Sequence, residues 1–348
     1  MRRLGRLTFV DYVLWALRIA VVIGVAIGTW ATLSAGRLEG DQWRSLVILG
    51  IAQGSLYALI ALGYTLVYGV LLMINFAHGD VFMFGAMTAF FVADGLADGG
   101  LLIANPFIGL GIVLIVAMLS SMIVAILLER IAYRPLRRAP RLVPLITAIG
   151  ASLFISNSVR GMYGEQVKAY PNIPALEGRI DILGIPILKT QALVIVTAFV
   201  LMLVLFWFVE RTRTGRAMRA VSEDKDTAAL MGINVDRTIS TTFAIGGLLA
   251  GAAGVLYALI FGQVHWFMGF LPGIKAFTAA VLGGIGNIVG AMLGGLTLGL
   301  LEQVGPNLFL SGLGVPSPNQ LRDVIAFSVL VLVLIFRPYG ILGKPESR

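Results

Sequence analysis

The densest group of chemically capable side chains in this sequence is Asn75-Phe76-Ala77-His78-Gly79-Asp80. A carboxamide, an imidazole and a carboxylate lie close together, and Gly79 frees the backbone between two of them. A His-x-Asp pair needs further ligands to hold a metal. The sequence offers few, having no cysteine and only one other histidine, His265. Two readings remain. The group faces a polar path through the protein, or it marks a helix end, with Asp80 favoured by the positive end of the helix dipole. Upstream, Gln53, Tyr57, Tyr64 and Tyr68 follow at spacings of four, seven and four, which places them near one helical stripe. Such a stripe either lines a polar pathway or supplies hydrogen bonds between helices.

Enzyme chemistry is poorly provided for. No Ser/His/Asp or paired-acid arrangement is evident, and no G-x-x-x-x-G-K-[ST] motif gives the chain a phosphate loop for ATP. A different kind of segment is 210–237, ERTRTGRAMRAVSEDKDTAALMGINVDR, with six basic residues. Ser222 suits an N-cap, Glu223 and Asp224 suit a first turn, and Gly232 suits the position after a helix end. The pattern predicts a short helix over 223–231. It presents Ala228, Leu230 and Met231 among acids. Either it docks into a groove on a partner or it rests on the bilayer. The acidic first turn and the small apolar face favour docking.

The elements that must position these residues follow from composition. Of 348 residues, 58% are hydrophobic and 13% charged. Soluble chains run at about 45–50% and about 25%. The excess apolar surface excludes an ordinary soluble enzyme and a disordered chain. The net charge of +8 is carried in short segments between apolar runs, which speaks against nucleic-acid binding. The expected fold is an all-α, polytopic transmembrane helical bundle. Clear spans are 12–33, 46–73, 81–98, 107–128, 142–160, 190–209, 238–262 and 321–336. Arg2, Arg3 and Arg6 before the first span, and Arg130, Arg134, Arg137, Arg138 and Arg141 in the 129–141 loop, mark the cytoplasmic side. Loop 210–237 is also inside. Segments 34–45, 161–189, 263–275 and 302–320 are outside, and the tail with Arg337, Lys344 and Arg348 is inside. The first segment also reads as a signal peptide, with small residues at Ser34-Ala35-Gly36. Arg18 is expected to snorkel toward the inner interface.

Parity makes one demand. The uncharged stretch 276–301 must enter the membrane and return, as two short segments hinged at Gly283, Gly284, Gly286 and Asn287. Broken backbone at that depth has to be buried in protein or line a cavity. Around it, Gly246/Ala250/Gly254, Gly247/Gly251, Gly286/Gly290/Gly294 and Gly295/Gly299 form small-xxx-small rows for close helix packing. Glu302 follows, either attracting a polar substrate at the outer mouth or, as the favoured reading, marking a solvated helix end.

Taken together, GSLYALIALGYTLVYGVLLMINFAHGD (54–80), GRAMRAVSEDKDTAALMGINVDRTIS (215–240), GFLPGIKAFTAAVLGGIGNIVGAMLGG (269–295) and RPYGILGKPE (337–346) make the chain resemble a known family. It is similar to the permeases of bacterial branched-chain amino acid ABC importers, of the LivH type, over roughly 45–345. The resemblance implies an inner-membrane subunit with both termini cytoplasmic. Residues 1–45 are then an N-terminal extension with one extra transmembrane helix, and 46–345 the permease domain with coupling loop 210–237. Implied partners are a LivM-type permease or a second copy, two cytoplasmic ATPase subunits, a periplasmic binding protein and the lipid bilayer, with no nucleic acid. The chain itself is then no enzyme and holds no cofactor, because ATP and Mg belong to the ATPases. Coupling falls on Gly215, Arg216, Arg219, Glu223, Asp224 and Gly232. Gln53, Tyr57, Asn75, His78 and Asp80 are candidates for the translocation path. The cargo is a branched-chain or similar amino acid, or, in the same family, urea or a short amide. A stand-alone ion-coupled carrier is disfavoured, because the clear acids fall at span ends and no repeat relates the two halves.

Overall fold

The computed structural model describes residues 9–36, 38–137, 139–140, 142–182, 184–337 and 339–343. Arg2, Arg3, Arg6, Arg138, Arg141, Lys344 and Arg348, which bear on orientation, lie outside the described residues. The chain runs α1 (Phe9–Ala35), α2 (Gly40–Leu71), α3 (His78–Asp98), α4 (Leu101–Ala104), α5 (Pro106–Leu128), α6 (Leu142–Tyr163) and α7 (Lys189–Arg211). It continues through α8 (Arg213–Glu223), α9 (Lys225–Leu230), α10 (Val235–Phe261), α11 (Phe270–Gly283), α12 (Ile288–Leu310) and α13 (Arg322–Phe336). Sheet is confined to two small pairs. β1 (Lys168–Ala169) meets β4 (Gln263–Val264), and β2 (Arg179–Ile182) forms a hairpin with β3 (Ile185–Leu188). Among the described residues, 9 helical stretches are long and apolar enough to cross a membrane.

The bundle is built around α2. Residues 52–67 are buried without interruption, as expected for a helix that is apolar on every side. The glycine rows set its neighbours. A Cβ on Gly295 would strike the backbone of Ala58, and one on Gly299 would strike the backbone of Gly54, so α12 lies antiparallel against α2. On α10 the two rows part. Gly247 and Gly251 abut Ser121 and Ala117 of α5, while Gly254 abuts Phe82 and Ala86 of α3. Such contacts drive association where lipid gives no hydrophobic gain. The peripheral helices turn large apolar side chains outward: Trp207 is 60% exposed, Phe154 74% and Ile131 73%. A face of this kind belongs against lipid.

In the expected hairpin at 276–301 the chain turns between Gly283 and Ile288, but the arms are differently proportioned. Its first arm, α11, has 14 residues and begins at Phe270. At about 1.5 Å per residue it spans about 21 Å, short of the ~30 Å hydrocarbon layer. The second arm is no short segment. α12 has 23 residues and runs through 302–310, which the charge pattern assigned to an outside loop. The helix persists because its polar residues there are buried and bonded to neighbouring helices rather than to water. α11 is instead completed by the irregular backbone of 265–269 before it. Gly79 at the start of α3 and Gly269 touch backbone to backbone, and Gly273 lies against Gly79. α3 therefore starts inside the bundle, with His78 against Gly63, eight residues before the end of α2. Leu72, at the α2 C-cap, takes φ 57° to turn the chain back inward.

Other boundaries shift too. α5 does not end at 128; it continues as a π-helix (Glu129–Tyr133) and a 3-10 turn (Arg134–Leu136). Residues 40–45, assigned to an outside loop, are the first turns of α2, closed by a capping box between Glu39 and Gln42. α1 lies along α12, where Gly28 meets the Phe309 backbone and Thr32 accepts the Gly312 amide at 2.8 Å. Arg18 sits over the rings of Trp15 and Phe336, at 5.2 Å and 4.5 Å.

Candidate functional site

The upper stripe of α2 faces α12. Gln53 and Tyr57 are both buried, and Gln53 accepts a hydrogen bond from the Gln303 amide. Lower on α2, Tyr64 turns to the two broken segments. Its ring meets His78 edge-on at 4.9 Å and Phe277 of α11 at 6.0 Å. His78 is 2% exposed, wedged between Gly63 and Gly246, and its Nε2 has no hydrogen-bond partner. Asn75 accepts the Tyr133 hydroxyl at 2.9 Å, and Asp80 faces Ser152 of α6 from the first turn of α3. The five path candidates are thus all buried but form two groups, Gln53 and Tyr57 near α12, and Asn75, His78 and Asp80 around the α2–α3 turn. Tyr68, on the same stripe, is only half-buried.

Sequence reasoning missed the most polar part of the interior. Glu302 is no solvated helix end. It is 3% exposed and accepts the Lys275 ammonium at 2.6 Å; Lys275 also reaches Asp323 of α13 at 2.6 Å. Lys275, assigned to an outside loop, lies on α11 and is 8% exposed. Lone charges are expelled from such an environment, whereas a compensated pair is tolerated. The signal was split between an apolar run with one lysine and an acid 27 residues later, and helical spacing cannot join residues that far apart. Tyr57 lies against the Glu302 carboxylate and its ring is 6.0 Å from the Lys275 ammonium. A row of carboxamides flanks the triad: Asn307 donates to Asn319 at 2.8 Å, and Gln303 to Gln53.

A second missed cluster sits at the other end of the bundle. Glu129 is fully buried in the π-helix and accepts from Arg134 twice, at 3.2 Å and 3.0 Å, from Arg137, and from Ser240 of α10 at 2.7 Å. Arg137 also bonds Asp236 at the start of α10. The cluster clamps the end of α5 to α10, directly beside the loop that holds the coupling candidates.

That loop is not one helix over 223–231 capped by Ser222. Thr212 caps α8, and Asp224 caps α9 by accepting the amides of Asp226 at 2.9 Å and Thr227 at 3.1 Å. Ser222 lies within α8 and donates to the Arg219 carbonyl. Gly215 packs on the Phe208 and Val209 carbonyls and so fixes the turn from α7 into α8, and the chain breaks again at Asp224, whose extended backbone ends α8. The Thr227 hydroxyl, followed by the two amides, holds the Asp224 carboxyl below its usual range. A depressed carboxyl contributes its full stability at pH above the ordinary value of 3.8, and this cap weakens progressively as pH falls below that value and through the lower folded one. Gly232 follows α9 with φ +82°, as its position after a helix end requires. Arg216 and Glu223 are exposed, and Arg219 bonds Glu210. Burial and the nearby Arg137 lower the Lys225 ammonium, which places α9 beside the clamp.

The hinge residues are all in the α11–α12 turn. Gly284 and Gly286 take φ of +106° and +94°, open only to glycine at low cost. Gly283 meets Gly290 backbone to backbone, and Asn287 caps α12 by accepting the Gly290 amide at 2.9 Å. Asn287 also donates to the Leu342 carbonyl at 3.0 Å, tying the hinge to the C-terminal segment. Among the described residues, no group of three or more His, Asp or Glu could hold a metal ion.

Comparison with known proteins agrees with this architecture. Residues 46–334 match the family described as "Branched-chain amino acid transport system / permease component". The high-affinity branched-chain amino acid transport system permease protein BraD of Pseudomonas aeruginosa is 46% identical over 86% of this chain and 95% of its own length. Its counterpart LivH of Escherichia coli K12 is 43% identical over 85% and 94%. The autoinducer 2 import system permease protein LsrD of Escherichia coli is more distant, 28% identical over 56% and 59%. No solved structure gives a significant match. With a family match across most of its length and a helical, multi-pass membrane architecture, the chain belongs to the permease components of branched-chain amino acid transport systems.

Proposed function

We propose that this chain is the translocating subunit of an ATP-driven importer for branched-chain amino acids in a bacterial inner membrane. The reading is carried by one observation: relatives named for that transport align with this chain at 46% and 43% identity along nearly their whole length. Its partners are a second permease, of the LivM type or another copy, two ATPase subunits and an external binding protein. The end with α8, α9 and the Glu129 clamp faces the cytoplasm, by its basic loops. ATP and Mg bind to the ATPases.

The coupling surface is α8–α9. Its exposed Glu223, Asp224, Leu230 and Met231 offer an ATPase cleft both charge and apolar contact. Nucleotide-driven closure then biases the permease between two arrangements. The test separates charge from folding. Asp224→Asn keeps a good N-cap while removing the charge, and Glu223→Lys reverses an exposed residue at the end of α8. The double variant is expected to insert at wild-type level but to lose at least tenfold in leucine uptake and to stop co-purifying with the ATPases. Wild-type uptake by that variant contradicts the coupling assignment.

A further inference from the structure

The two buried carboxylate clusters differ in one respect. Around Glu129 both oxygens are occupied, by Arg134, Arg137 and Ser240. Around Glu302 the Lys275 ammonium bonds Oε1 and the Tyr57 hydroxyl lies against the carboxylate, while Oε2 is buried without a close donor of its own. On the next residue of α12, Gln303 is wholly buried and its Oε1 is likewise without a partner. Buried acceptors left empty are costly, and native structures keep few. Lys275 has the complementary shortage. Its ammonium carries three donors and meets two acceptors, Glu302 and Asp323.

An empty acceptor on Glu302 beside a lysine with a donor to spare, and a second empty acceptor on the next residue of α12, match a molecule that carries both an ammonium and a carboxylate. The surroundings suit passage. Asp323 is half exposed, so the triad is open on the α13 side. The carboxamides Asn319, Asn307, Gln303 and Gln53 lead inward from a cavity of about 390 Å³ between α2 and α12, also lined by Asp41 and Gln42. Lys275 of the triad lies on α11, a short helix that begins within the bundle, and discontinuous helices of this kind accompany binding sites in other transporters.

We propose that Lys275, Glu302 and Gln303 hold the two charged ends of a zwitterionic α-amino acid as it crosses: the carboxylate on Lys275, the ammonium on Glu302 Oε2 and Gln303 Oε1. This rests on the amino-acid reading above and adds which side chains meet the cargo. It also predicts discrimination against molecules with one charge or none.

The test uses the intact transporter complex in nanodiscs, without the soluble binding protein, and saturation-transfer NMR on the methyl groups of L-leucine. The wild type is expected to give a transfer signal that L-valine competes away. Isoamylamine and 4-methylpentanoate, each lacking one charge, bind at least about tenfold more weakly. Glu302→Gln weakens leucine binding by about tenfold to hundredfold. The double variant Lys275→Glu with Glu302→Lys restores an ion pair between α11 and α12 but reverses its ends, and it also fails to bind. Full binding by either variant, equal binding of the one-charge analogues, or no signal from the wild type overturns the proposal. Cellular uptake distinguishes the two readings. If the wild type imports leucine while binding ignores Glu302, only this site is wrong. If the wild type imports no amino acid, the functional reading falls with it.

Discussion

Replacing Glu129 with alanine is expected to destabilise the bundle by about 1–3 kcal/mol, the cost of removing a buried charged acceptor, and less than for a fully buried pair because solvent reaches both arginines. The carboxylate is fully buried and neutralises Arg134 and Arg137, which are 38% and 18% exposed. Removing it turns their attraction into mutual repulsion and strips Ser240 of its acceptor. Because Arg137 also holds Asp236, the link between α5 and the first turn of α10 goes with it. Glu129→Gln keeps the shape and part of the hydrogen bonding, so it should lose less. Thermal unfolding of the purified chain in detergent, followed by loss of its monodisperse peak, is the measurement. A midpoint for Glu129→Ala within a degree or two of wild type contradicts the clamp.

The second large effect is expected at Gly299. A leucine there must displace the Gly54 backbone of α2, not the end of a mobile side chain. Overpacking of cores costs about 1–3 kcal/mol where side chains can move; here neither helix can shift without parting α12 from α2 along Gly295 and Ala58 as well. Gly299→Leu should therefore yield little folded protein. The control is Gly150→Ala on α6, where a Cβ meets nothing within 4 Å. That change should be neutral or stabilise by up to about 1 kcal/mol through helix propensity. Equal expression and equal unfolding midpoints for the two variants would show that the α2–α12 contact is not what holds the bundle.

The spans were legible because a run of ~20 apolar residues has few other uses. The close-packing rows were legible for the same reason: small residues at every fourth position have a geometric meaning in a helix. What sequence could not show is where polar groups find partners far along the chain. Glu302 looked like a helix end because Lys275 and Asp323 lie on other helices. The loop helix was misplaced because Thr212, Ser222 and Asp224 all qualify as caps, and the backbone is extended at Thr212 and Asp224, which start two helices, while Ser222 stays inside the first. The π-helical end of α5 has no local signature, and its Glu129 bonds a serine 111 residues away. Glu302, taken from sequence as an acid at a span end, is buried inside the bundle, and its pairing with Lys275 makes it a compensated group rather than a bare ion site.

The central claim is that this chain carries branched-chain amino acids only as part of an ATP-driven assembly. It is tested most directly in proteoliposomes containing the chain with the second permease and ATPase subunits proposed for it, with the proposed binding protein and labelled L-leucine on one side and ATP on the other. The account predicts leucine accumulation that requires ATP hydrolysis and is lost when the ATPases are omitted. Leucine accumulation by the chain alone, driven by an ion gradient without ATP, would contradict it.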